Sequence, residues 1–93
     1  MYDIKNRTYK IAKDLDVFIF PAEDGKHKID IYDFNGIYMF SIGDIRYMDY
    51  PSYLEEFGGD YANKRRSLYV KRHAGELDKI ESKGWFTFKL LWS

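Results

Sequence analysis

Six cationic or protonatable side chains, Lys64, Arg65, Arg66, Lys71, Arg72 and His73, fall within one ten-residue stretch that also holds Tyr69. Guanidinium groups grip carboxylate and phosphate oxygens through forked, two-bond contacts, and ammonium groups act on them as point charges. Such a cluster can form an anion-binding surface, or an internal network in which arginines meet carboxylates of the same chain. Which of the two applies depends on where the side chains face.

Asp60 offers an N-cap, Gly75 a stop, and the spacing between them predicts a helix over about 61–73. With Tyr61 set at 0° and about 100° per residue, Arg72, Arg65, Tyr69, Ala62, His73 and Arg66 fall between about 20° and 140°. Leu68 borders this arc at about 340°, and Lys64 and Lys71 lie away from it at about 300° and 280°. The arginines therefore share a face with Tyr and Leu residues that should turn inward, while the lysines point elsewhere. A guanidinium on an inward face must reach the rim or find a counter-charge, because an unpaired buried charge costs several kcal/mol. Asp30, Asp33, Asp44 and Asp49 are the candidate partners.

Other chemistries lack their residues. The chain has no cysteine, and its two histidines, His27 and His73, are far apart, so neither a thiol nucleophile nor a His/Cys metal site is expected. Ser41 and Ser67 sit in no nucleophile-elbow sequence. Gly43-Asp44 and Gly58-Gly59 lack the flanking pattern of a phosphate loop. The four aspartates are read as solvated, capping or arginine-paired rather than as ligands of a divalent cation. No catalytic residue, metal or cofactor is expected.

Several elements must position the cluster. Asp16 to Phe20 reads as a strand ended by Pro21, followed by a turn with Asp24-Gly25 at its tip. Lys28 to Phe34 alternates as a second strand, with Ile29 and Ile31 on one face. Asn35-Gly36 then predicts a type I′ hairpin turn into a returning strand from Ile37 to Ile42. Thr8 to Ala12 is a further strand candidate. Asp49 and Pro51 predict a short helix over about 51–57, broken by Gly58-Gly59. The apolar segment Trp85 to Trp92 suits a strand by its alternation and a helix by the spacing of Trp85, Phe88, Leu91 and Trp92; of the two it is read as a short helix, with those four residues buried. Its rings, with Tyr69, are able to stack bases but are read as core.

With 93 residues and 19 % aromatic content, the chain suits one α+β domain spanning 1–93, its N-terminal antiparallel sheet packed against the helix at about 61–73 and the apolar C-terminal segment. No apolar run approaches a membrane span of about 20 residues, and no signal peptide is expected. The formal charge is zero, but residues 1–61 carry seven basic and twelve acidic side chains, and residues 62–93 eight and three.

The order Ile42-Gly43-Asp44, Tyr47, Asp49-Tyr50, Arg65-Arg66, Tyr69, Arg72-His73, Gly84-Trp85-Phe86 and Leu90-Leu91-Trp92 resembles a family of small uncharacterised proteins. That family recurs in large DNA viruses of algae and amoebae and in tailed bacteriophages, and the resemblance covers about residues 40–92. It implies viral origin, in host cytoplasm or virion, and no assigned activity. Its members tend to be basic, whereas this chain is neutral.

The reading is a non-enzymatic viral accessory protein that binds an acidic macromolecule, nucleic acid or a protein surface. Arg65, Arg66, Arg72 and His73 would make the contact, with Tyr69 among them and Lys64 and Lys71 assisting. The alternatives are a virion or assembly component with its arginines in an internal salt-bridge network, and an inhibitor of a host defence or transcription protein.

Overall fold

The computed structural model describes all 93 residues as an α+β chain with a three-stranded antiparallel sheet and four helices. Its contacts divide into two compact units, Met1–Tyr47 and Met48–Ser93.

The first unit opens with α1 (Asn6–Asp14), where the sequence suggested a strand over Thr8 to Ala12. Ile4, Thr8 and Ala12 recur every fourth residue and are buried. One turn of helix separates Thr8 from Ala12, with Ile4 buried just before the helix, and burial of that stripe outweighs the weak β preference of Tyr9 and Ile11. Asp16, at φ 58°, takes the left-handed conformation that releases the chain into β1 (Val17–Pro21). Helix α1 lies against β1.

Strands β1, β2 (His27–Asp33) and β3 (Tyr38–Asp44) pair in that order, with Ile19 opposite Ile31 and Ile29 opposite Ile42. These four isoleucines define one fully buried face, as the alternation in β2 required. The β1–β2 turn is built by Asp24, whose carboxylate accepts from the backbone N–H groups of Lys26 and His27, both at 2.8 Å. His27 Nδ1 lies 2.6 Å from the other oxygen. These contacts, the His27 backbone N–H foremost, push the Asp24 carboxyl well below the usual range.

The second turn lies where Asn35-Gly36 placed it but is not type I′. Gly36 has φ 80°, while Asn35 does not enter the positive-φ region. Gly36 N–H donates to the Asp33 carbonyl at 2.9 Å, and the Asp33 carboxylate accepts from the N–H groups of Asn35 and Ile37. This is a turn centred on Phe34 and Asn35 with a left-handed glycine after it, favoured because the Asp33 side chain satisfies two backbone donors.

In the second unit, α2 (Tyr50–Phe57) starts as expected: the Asp49 carboxylate accepts from Ser52 N–H at 3.0 Å, and Pro51 occupies the first turn. Gly58, at φ 85°, separates α2 from α3 (Gly59–Leu77). Asp60 does not cap α3. It lies inside the first turn, where its charge still complements the helix dipole. Nor does Gly75 stop the helix: α3 kinks at His73 (φ −116°, ψ 17°) and runs on to Leu77. One glycine costs a helix only about 1 kcal/mol, too little to end it. Helix α4 (Lys83–Leu91) is capped by Ser82, whose hydroxyl accepts from Trp85 N–H. Phe86, Leu90, Leu91 and Trp92 are its buried residues, whereas Trp85 and Phe88, expected in the core, are half-buried. Helix α3 lies against both α2 and α4. None of the helices is long and apolar enough to cross a membrane.

Asp44, at the end of β3, accepts from the Arg46 guanidinium at 2.7 Å and from its backbone N–H at 2.9 Å. These bonds, the side-chain contact first, lower its carboxyl from the ordinary 3.8 to about 2. A folded value below the unfolded one adds stability that is complete above the unfolded value and lost as pH falls through the folded one. We expect Asp44→Asn to make the fall in melting temperature between about pH 4 and pH 2 shallower than in the wild type. Because the pair is solvent-screened, the change will be a small one of slope. Identical acid-melting curves for the two proteins would refute it.

Candidate functional site

Helix α3 carries every cation singled out by the sequence. Between Asp60 and Glu76 there are five Lys or Arg residues and no carboxylate. Up to Arg72 the helix is regular, so the wheel angles hold. Ala62 and Tyr69 are buried, and Arg65 and Arg66 are half-buried on either side of them. Lys64 and Lys71 are exposed, as expected. Arg72 and Leu68 are also exposed, against the expectation that they turn inward. They lie on the strip shared with the lysines, at the edge of the arc, where no neighbouring helix covers them.

The expected arginine–aspartate pairs are replaced by rings. The Arg65 guanidinium lies over Tyr53 at 5.3 Å from its centroid, and that of Arg66 over Tyr50 at 4.5 Å. Arg66 also donates to Asn63 Oδ1 at 3.4 Å, an atom held by the Tyr50 hydroxyl at 2.8 Å. None of Arg65, Arg66 and Arg72 forms an ion pair with a carboxylate of its own unit. Arg65 Nε is buried without a hydrogen-bond partner. The four aspartates proposed as partners have local work: Asp30 accepts from Ser41, Asp33 builds a turn, Asp44 holds Arg46 and Asp49 caps α2. A ring face attracts a guanidinium within about 6 Å while leaving its N–H edges open, which a carboxylate fork does not.

Tyr69 anchors the inner side. It stacks on His73 at 4.2 Å and on Trp92 at 4.5 Å, with interplanar angles of 26° and 9°. Tyr53 stands 6.2 Å from Trp92 and 5.7 Å from Tyr61, so the stack continues into α2. His73 Nδ1 lies 2.9 Å from Glu76 Oε2, a contact made across the kink. Burial and the neighbouring Glu76 carboxylate push the Tyr69 hydroxyl upward, with Arg72 pulling the other way. The phenol therefore stays neutral across the physiological range.

Two groups thus emerge from the predicted residues. Lys64, Arg65, Lys71 and Arg72 form one cationic strip around Leu68, about 12 Å long at the α-helical rise. Arg66, Tyr69 and His73 belong instead to the ring cluster. The residues that sequence reasoning missed are Tyr50, Tyr53 and Asn63. The first two, with Phe57, occupy one face of α2 at helical spacing, a signal that marks a ring-bearing surface facing α3.

Replacing Trp92 with Ala removes a ring from the centre of this stack, and we expect a loss of about 3–5 kcal/mol in denaturant unfolding, with Trp92→Phe recovering much of it. A loss below about 1 kcal/mol would show that the stack does not hold the unit together. No protein-family model matches the chain, and no curated protein or solved structure matches it either.

Proposed function

We propose that this protein acts by binding an acidic macromolecule along the outer strip of α3, without catalysis. The observation that carries this reading is the unmatched charge of the strip: Lys64, Arg65, Lys71 and Arg72 lie together with no carboxylate between Asp60 and Glu76. Arg65 is held on Tyr53 rather than in an ion pair, so its guanidinium is pre-positioned and its charge is not neutralised by a carboxylate. A strip of about 12 Å is long enough to meet several phosphates of a nucleic-acid backbone. The same donors suit a row of carboxylates on a protein. Tyr69, Arg66 and His73 support the strip from behind and make no direct contact in this reading. A viral accessory role is part of the proposal and rests on the sequence resemblance.

The test is binding of labelled single-stranded and duplex oligonucleotides and of an oligoglutamate peptide across a salt series. Four cations predict that affinity for nucleic acid falls about a hundredfold between ~50 and ~200 mM salt. The double reversal Lys64→Glu, Lys71→Glu should abolish binding without lowering the melting temperature, since both side chains are exposed. Failure of all three probes to bind at low salt, or binding unchanged by the double reversal, would defeat the proposal.

A further inference from the structure

We infer that the open face of the sheet in the first unit is a second, separate binding surface, and that its occupant is an extended cationic peptide segment bearing Arg or Lys. Strands β1 to β3 bury their isoleucine face and leave part of the opposite face, around Phe18, Phe20 and Tyr38, to solvent. On that face Phe18 and Phe20 are each 54 % exposed and Tyr38 53 % exposed, with Tyr32 half-buried between them. Phe18 and Tyr38 flank Tyr32 in register, and Phe20 and Ser41 flank Asp30.

Tyr38 reaches this face through a bulge. Ile31 pairs with Phe40 but Tyr32 with Tyr38, leaving Met39 unpaired, and the shift turns Tyr38 from the isoleucine side to the open one. Its hydroxyl then lies 2.6 Å from Ser41 Oγ, which donates to Asp30 Oδ1 at 2.6 Å. Tyr32 stands nearly perpendicular to both neighbours, 5.6 Å and 82° from Phe20, 5.7 Å and 73° from Tyr38. Perpendicular rings form corners where one cation can meet the face of a ring, and Asp30 supplies a counter-charge beside them.

Charge complementarity selects the occupant. The exposed part of this face holds rings and a carboxylate but no cation: Lys28 shares its strand parity yet is buried, its ammonium over Tyr2. Nucleic acid needs cations to carry its phosphates and would meet Asp30 instead. A second copy docked face to face about a two-fold axis would bring like carboxylates together. Guanidinium or ammonium groups satisfy both the ring faces and Asp30.

The experiment is an NMR titration of the full chain with an extended Arg/Ser peptide, alongside an oligothymidine and an oligoglutamate peptide of equal length. The expected result is perturbation by the cationic peptide alone of Phe18, Phe20, Asp30, Tyr32 and Tyr38. Asp30→Asn should weaken binding about tenfold, and Phe20→Leu with Tyr38→Leu, which keeps apolar area but removes the rings, about tenfold or more. These leucine positions are half exposed, and the spectrum of each variant reports whether it is folded. Absence of perturbation at millimolar peptide, equal response to oligothymidine, affinity indifferent to both sets of substitutions, or concentration-dependent broadening of the same residues without peptide would each overturn the assignment.

Discussion

Trp92 lies almost parallel to Tyr69, 4.5 Å away, and both are buried. The second unit depends on this contact, because Tyr69 is one of only two buried residues of its long helix, the other being Ala62. A helix whose remaining faces are polar gains little from solvent exclusion by itself. The stack joins α3 to the end of α4, and Tyr53 extends it to α2, so three helices share one set of rings. Large flat side chains let a unit this small bury substantial area with few residues.

The same ring cluster explains how arginines are accommodated beside a core. Forming carboxylate pairs there would require desolvating two charges for each contact. A tyrosine face needs no second ion, and the guanidinium keeps its hydrated edge. Arg65 and Arg66 therefore sit half-buried on Tyr53 and Tyr50, flanking Ala62 and Tyr69. Charge that is held in place but not neutralised is available for recognition, which is the physical basis for reading the neighbouring strip as a contact surface.

The sheet of the first unit uses rings in another way. There the aromatic side chains lie on the solvent side of a sheet whose other side is aliphatic and closed. Exposed rings in a continuous row are uncommon in a surface with no partner to meet, whereas single exposed apolar residues are ordinary. The bulge at Met39 costs one pair of the ladder and places Tyr38 in that row. With Ser41 and Asp30 it forms a hydrogen-bonded chain that fixes the carboxylate between rings.

Features governed by a residue and its close neighbours were legible in the sequence. The α+β class, the position of the Asn35-Gly36 turn, the start of α2 at Asp49 and Pro51 and the break at Gly58 all belong here. Each reflects a φ/ψ restriction or a cap that acts within about four residues. Where local signals competed, the stripe of Thr8 and Ala12 overrode β propensity, and the Asp33 side chain displaced the expected turn type. Arg65 on Tyr53, Arg66 on Tyr50, Trp92 on Tyr69 and the exposure of Arg72 were decided only by tertiary structure. Those partners lie more than ten residues apart, and a guanidinium's choice between a carboxylate and a ring depends on which of them the packing of helices brings within reach.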